Sequence, residues 1–107
     1  MVIDDKSYNL EEGNFYDKEF EKNRIVIGNT NSTEMNHVYG WKHRLLGEYK
    51  KTSTFTIDRK GNAYQHFDPS YYSDFIGDKS IDKKSITISL ENQGWLEKDI
   101  LRDKYYD

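Results

Sequence analysis

Apolar and polar residues alternate most regularly at Ser85–Leu90, whose sequence Ser-Ile-Thr-Ile-Ser-Leu has the period of two that is typical of a strand. Residues 25–27 (Ile-Val-Ile) are apolar without alternation, which predicts a strand over residues 24–28 that is buried on both faces. Gly28, Asn29 and Thr30 follow at once, so this strand is expected to end in small polar groups.

The next segment predicts a helix over residues 34–46, which begins after an N-cap at Ser32 or Thr33 and ends at Gly47. Its large apolar side chains have helical spacing and are expected to face the core. They are Met35, Val38, Trp41, Leu45 and Leu46.

A hairpin is predicted after the helix. Its strands are residues 54–57 and 63–67, and the turn at 58–62 contains Gly61 at a position that needs a positive φ. Pro69 interrupts the chain after the second strand because proline removes a backbone donor, and a loop is expected over residues 71–77.

The predicted order is strand, helix, hairpin, strand and a last short helix over residues 96–106. This order favours an α/β (mixed α+β) domain with a small central mixed sheet and flanking helices. Residues 1–23 are polar with irregularly spaced aromatic side chains, and we expect them to form an N-terminal arm on a single domain over residues 24–107.

Composition narrows the class of protein. Aromatic residues make up 15% of the 107 residues and the net charge is only −3, which favours a folded domain with a tyrosine-rich core. The absence of cysteine excludes disulfides and thiolate metal sites. The chain has no apolar run that could span a membrane and no signal-peptide pattern, so we expect a cytoplasmic protein. Because positive and negative charges are interspersed along the chain, we expect neither a nucleic-acid polymer nor a membrane as partner.

Few residues stand out as chemical candidates. The histidines, His37, His43 and His66, lack the spacing of a zinc site and are expected to be surface or packing residues. Glu91 and Asn92 follow a predicted strand and are better placed, because strand ends often carry sites on a rigid support. A solvated strand end explains them equally well.

Four pieces of sequence nevertheless occur in an informative order: IVIGNT, TFTIDRKGNAYQHF, YYSDFIG and KKSITISLENQGWL. Together they resemble the zinc-dependent type 2 N-acetylmuramoyl-L-alanine amidases, which are related to peptidoglycan recognition proteins. The resemblance covers about residues 24–96. It is closest to divergent amidase-like proteins of bacteriophages, and it implies a truncated amidase-like fold in the cytoplasm of a bacterial host.

The resemblance does not extend to the residues that hold zinc or activate water in that family. The remaining zinc ligands of the family come from a segment near its C-terminus, which we expect to lie beyond residue 107. At the matching positions this chain has Gly28 and Asn29 for a histidine pair, Ser53 and Thr54 for a tyrosine and a histidine, Phe75 for a loop histidine, and Ser89 for a glutamate.

The resemblance therefore implies a non-catalytic protein with no metal and no cofactor, which uses the altered groove to bind a small polar ligand. Sequestration of a small host molecule, such as a nucleotide immune signal, is the favoured function. The alternatives are muropeptide recognition and residual amidase activity in a phage lysin or virion protein. A groove that is filled by side chains and binds nothing, and a purely structural role in a virion or its assembly, also stay open. The expected ligand-binding residues are Asn29, Thr30, Tyr39, Lys51, Ser53, Thr54, Phe75 and Ser89.

A homo-oligomer is also expected. In the family a C-terminal helix covers part of the sheet, and this chain offers only the stretch around residues 96–106 for that purpose. Apolar surface that stays uncovered favours association, most simply as a twofold dimer.

Overall fold

The computed structural model describes residues 2–92 and shows a five-stranded mixed sheet. In chain order its strands are β1 (Ile3–Asp4), β2 (Arg24–Asn29), β3 (Phe55–Ile57), β4 (Ala63–Gln65) and β5 (Ser85–Leu90). The helices are α1 (Asn36–His43) and α2 (Lys79–Asp82), with 3₁₀ turns at Glu12–Asn14 and Arg44–Gly47. None of the helices within residues 2–92 has the length and apolarity needed to span a membrane.

The strands lie in the spatial order β1-β4-β3-β5-β2. β5 is parallel to both of its neighbours, β2 and β3, whereas the hairpin strands β3 and β4 are antiparallel. The mixed α+β class and the central mixed sheet are thereby confirmed. The hairpin turn is confirmed too, because Gly61 has φ +89° and Asp58 Oδ1 accepts the backbone N–H groups of Lys60 and Asn62.

The two faces of the sheet differ from the expected pattern. On β5 the polar side chains of Ser85, Thr87 and Ser89 are buried, while the apolar side chains on the opposite face are only half-buried. The prediction that residues 25–27 are buried on both faces is wrong: Ile25 and Ile27 are 65% and 58% exposed. β2 lies at the edge of the sheet, and its isoleucines share the open face with those of β5.

Helix α1 is shorter than predicted. It begins at Asn36, after Met35 in the left-handed conformation, and Ser32 Oγ accepts the backbone N–H of His37 at 3.1 Å. The predicted N-cap at Ser32 or Thr33 is therefore wrong, because Met35 occupies that position, although the Ser32 hydroxyl still satisfies one N–H of the first turn. The helix ends at His43 because Leu45 and Leu46 adopt φ of 51° and 55°, and both side chains point to solvent rather than to the core.

The main core lies on the α1 side of the sheet and draws on the N-terminal residues. Phe15 stacks on Phe67 and Tyr71, with ring centroids 4.7 and 5.7 Å apart, and Leu10 is buried beside them. β1 extends the sheet through its pairing with β4, so residues 2–23 contribute a strand in addition to the aromatic contacts expected of an arm. Sequence patterns missed β1 and α2, and the helix predicted over residues 96–106 lies outside the described residues.

The buried Asn14 side chain tests whether the N-terminal residues belong to the folding unit. Its amide donates to the carbonyls of Trp41 and Tyr49, both at 2.8 Å. Asn14→Ala should lower the free energy of unfolding by about 1–3 kcal/mol, because one buried and one partly buried carbonyl lose their donor. Urea unfolding followed by circular dichroism measures this change.

Asn9 provides the matched control. Its amide also donates to two backbone carbonyls, those of Asp5 and Gln65, but at an exposed position where water can replace it. Asn9→Ala should therefore change the unfolding free energy by less than about 1 kcal/mol. Equal effects of the two substitutions would contradict the assignment of Asn14 to the core.

Candidate functional site

A cavity of about 470 Å³ opens at the carboxyl ends of β2 and β5, on the side of the sheet that carries α1. Gly28 and Ser89, which are paired in the β2–β5 register, form its floor. The carboxyl end of parallel strands is the usual ligand-binding edge of open α/β sheets, and the volume suits a small organic molecule.

The charged side chains that line this cavity are both cationic. Arg44 and Lys51 lie on its wall, and no aspartate or glutamate is among its described lining residues. This composition is unusual for the molecule, since the whole chain has 19 acidic and 16 basic residues. A second concavity of about 620 Å³, next to the turn at Gly47, is by contrast lined by Glu11, Glu12 and Glu48 as well as by basic residues.

Arg44 is held in position by Tyr49. Its Nη1 donates to the Tyr49 hydroxyl at 3.2 Å, and the guanidinium carbon lies 5.1 Å from the centre of the tyrosine ring. The left-handed conformations of Leu45 and Leu46 turn the chain directly after Arg44. A guanidinium positioned in this way loses little further freedom on binding an anion.

Neutral polar groups complete the inner wall. The Thr30 hydroxyl is buried and, among the described residues, has no hydrogen-bond partner. Asn29 and Asn36 line the same cavity, and the Asn29 carboxamide oxygen accepts a hydrogen bond from Asn92 at 3.1 Å. Because a buried hydroxyl without a partner is unfavourable, a ligand that bonds to Thr30 would satisfy it.

Trp41 and Phe75 supply the aromatic part of the lining. The Phe75 ring lies so close above Gly28 that a Cβ at position 28 would meet it at 3.0 Å. The loop that carries Phe75 is anchored by Asp82, whose buried carboxylate accepts the N–H groups of Ile76 and Gly77, both at 3.0 Å. The phenyl ring is therefore part of a fixed wall and occupies space that a larger residue at 28 would need.

A chain of hydrogen bonds leads from the cavity into the core. His37, on the cavity wall, bonds through Nε2 to the Thr56 hydroxyl at 3.0 Å, and Thr56 bonds to His66 Nε2 at 2.7 Å. His66 Nδ1 lies 2.7 Å from the Tyr8 carbonyl oxygen. His37 Nδ1 lies 3.2 Å from Ser32 Oγ.

The proton positions along this series of hydrogen bonds follow from the Tyr8 carbonyl at its end. The Tyr8 carbonyl only accepts, so His66 carries its proton on Nδ1 and accepts the Thr56 hydroxyl proton at Nε2. Thr56 has one proton to give, so His37 must donate to it from Nε2 and accept from Ser32 at Nδ1. Both rings are thus oriented by their partners as neutral imidazoles.

Burial favours this neutral state. Desolvation lowers the pKa of His66 to about 4. Desolvation, with a smaller contribution from the nearby His66, likewise lowers the pKa of His37 to about 4. The buried Glu91 carboxylate lies 3.7 Å from His37 Nδ1 and accepts the backbone N–H of Met35 at 2.5 Å, which ties the end of β5 to the start of α1.

The expected site residues are only partly brought together. Asn29, Thr30, Lys51, Phe75 and Ser89 line the cavity. Ser53 and Thr54 lie in the buried layer beneath it, bonded to Ser89 at 2.8 Å and to Thr87 at 3.3 Å, and Tyr39 is 57% exposed and does not line the cavity. Sequence reasoning missed five lining residues that come from α1 and the chain after it, namely Asn36, His37, Gly40, Trp41 and Tyr49. The sequence offers lysine or arginine at residues 42–51 for a phosphate, and of these Arg44 and Lys51 line the cavity.

The residues present do not fit the zinc ion of the resembled family. Gly28 has no side chain, Phe75 covers it, and no three side chains of His, Asp or Glu converge within residues 2–92. Comparisons with family models, with curated proteins and with solved structures find no match for this chain.

The two buried histidines predict an acid-sensitive fold. A histidine takes up a proton near pH 6.5 in the unfolded chain, but His66 does so only near pH 4 in the folded protein. The free energy of unfolding should therefore fall as the pH decreases from 7 to 4, by about 3 kcal/mol for His66. Urea unfolding at successive pH values measures this slope.

Nitrogen NMR of the imidazoles tests the same arrangement independently. At pH 7 the spectrum should show His66 protonated on Nδ1 and His37 protonated on Nε2. Either ring titrating above pH 6, or two rings of the same tautomer, would contradict the proton positions assigned above.

Proposed function

We propose that the protein binds, without cleaving it, a small anionic ligand that carries a flat ring, in the cavity at the ends of β2 and β5. The observation that carries the proposal is the charge of the lining: Arg44 and Lys51 are its charged groups, in a protein that is acidic as a whole. Such a lining raises the local concentration of anions and disfavours cations.

The polar and aromatic groups narrow the class of ligand. The Thr30 hydroxyl and the two asparagine side chains offer donors and acceptors without charge, which suits the directional bonds of a sugar or a base edge. Phe75 and Trp41 offer apolar surface for a planar ring. A nucleotide combines all three features, and its phosphates match the guanidinium of Arg44.

Sequestration of a nucleotide-like host molecule agrees with these features because it requires affinity and no reactive group. His37 is the titratable residue closest to the role of a catalytic base, but its nitrogens are already bonded to Thr56 and Ser32. Muropeptide recognition, which the resemblance also suggests, would use the same cavity, and binding measurements distinguish the two ligands.

Direct binding tests the proposed ligand class. Isothermal titration calorimetry and thermal shift with ATP and with cyclic di-AMP should show saturable binding, whereas muramyl dipeptide should show none. Binding of muramyl dipeptide alone would replace the nucleotide proposal by the muropeptide one. Failure of all three probes, together with no co-purifying small molecule in native mass spectrometry, would refute ligand binding in this cavity.

Substitution of the two cations tests the site itself. Arg44→Ala and Lys51→Ala should each raise the dissociation constant for ATP by about tenfold or more, because each removes a charge-assisted bond to phosphate. Lys18→Ala, which removes an exposed positive charge outside the cavity lining, is the matched control and should leave the affinity nearly unchanged. An equal loss in all three variants would indicate non-specific attraction.

A further inference from the structure

The face of the sheet opposite α1 carries a continuous apolar patch. In the strand register Ile25 lies beside Ile86, and Ile27 lies beside Ile88, which in turn lies beside Phe55. The two isoleucines of β2 are the most exposed members, at 65% and 58%. Apolar side chains clustered at one edge of a sheet are typical of an interaction surface.

The edge next to this patch is also free to pair. β2 is hydrogen-bonded to β5 on one side and has no strand on its other side within residues 2–92. Its last five residues, 25–29, contain no charge and no proline, and its six residues pair with β5 without a bulge. Apart from Arg24 at its start, β2 therefore lacks the usual features that prevent edge-to-edge pairing.

The sequence of β2 is complementary to itself. If two copies meet antiparallel about a twofold axis at Val26, Ile25 of each lies opposite Ile27 of the other, on the same face. A register shifted by one residue would place the apolar patch of one copy beside the polar face of the other. An axis at Ile27 would place Ile25 opposite Asn29, so the apolar match selects Val26 as the centre.

We propose that two copies of the chain associate through β2 in this register and form one continuous ten-stranded sheet. The isoleucines of the two copies then join into a single apolar stripe. On the other face, Arg24 of each copy lies opposite Gly28 of its partner, on the floor of the cavity, so each copy adds a cation to the partner's site. This last consequence rests on the proposed ligand binding, whereas the association does not.

Sedimentation velocity of the full chain at micromolar concentration tests the association without any ligand. The wild type should sediment as a dimer of the 12.8-kDa chain, and Ile27→Lys should be monomeric because it places a charge in the stripe. Leu46→Lys is the matched control, since Leu46 is 99% exposed and lies outside β2, and it should remain dimeric. A monomeric wild type at this concentration would overturn the proposal.

Cysteine cross-linking tests the register, and the absence of natural cysteine makes each introduced thiol unique. Val26→Cys should form an interchain disulfide under mild oxidation because the two copies of residue 26 face each other across the axis. Ile25→Cys, one residue away, should cross-link at least tenfold more slowly since it faces Ile27. Equal rates would overturn the register.

Arg24→Ala separates the two proposals. It should remain dimeric and bind ATP about tenfold more weakly than the wild type. A dimer with unchanged affinity would refute the contribution of Arg24 to the partner's cavity. If the wild type is dimeric and binds no nucleotide, the association stands and the proposed function fails.

Discussion

The structure depends on a layer of hydroxyl side chains that are buried within the sheet and bonded to one another. Thr54 pairs with Thr87 and Ser53 with Ser89, between the residues just before β3 and β5, and Thr56 joins the two histidines. A buried hydroxyl is tolerated only when it is bonded, so these side chains stabilise the fold as a set. The same requirement explains how a chain with a mean hydropathy of −1.02 encloses a core.

The position of the hydroxyl layer also determines which face of the sheet packs against α1 and which face carries the exposed isoleucines. Because Ser85, Thr87 and Ser89 face α1, the helix and the aromatic residues of the N-terminal segment pack on a polar surface that is already bonded. The cavity lies on the α1 side of the sheet, so hydroxyl and amide groups form part of its lining. The isoleucines of β2 and β5 are directed to the opposite face, where residues 2–92 leave them partly open. The burial of the β5 hydroxyls against α1 thus accounts for both the polar cavity on one face and the apolar patch on the other.

Local patterns predicted the elements well where geometry is determined within a few residues. The alternation at Ser85–Leu90 identified β5, and the glycine in the turn after β3 identified the hairpin. The orientation of β5 was not predictable in this way, since alternation alone does not say which face is buried. The usual assumption that isoleucine faces inward failed because the hydroxyls could satisfy one another across strands.

Long-range contacts account for what the sequence could not predict about the site. His37 and His66 are 29 residues apart, and only the hairpin brings Thr56 between them. Leu45 and Leu46 fit the helical pattern of α1, but their left-handed conformations end it and place Arg44 against Tyr49. Asn29 and Thr30 were expected at the site because they follow the predicted strand, and Ser89 because of the resemblance; they line one cavity because the parallel strands β2 and β5 end at the same edge.

The distribution of charge links the cavity to the edge of the sheet. Arg44 and Lys51 are the cations of the lining, whereas β2 lines the cavity through Gly28 and Asn29 and contributes no cation to it. In the proposed twofold arrangement Arg24 of the partner reaches it, so an anionic ligand would be held between charges of two chains. Ligand and association would then stabilise each other, because a ligand that contacts both copies binds the dimer more tightly than the monomer.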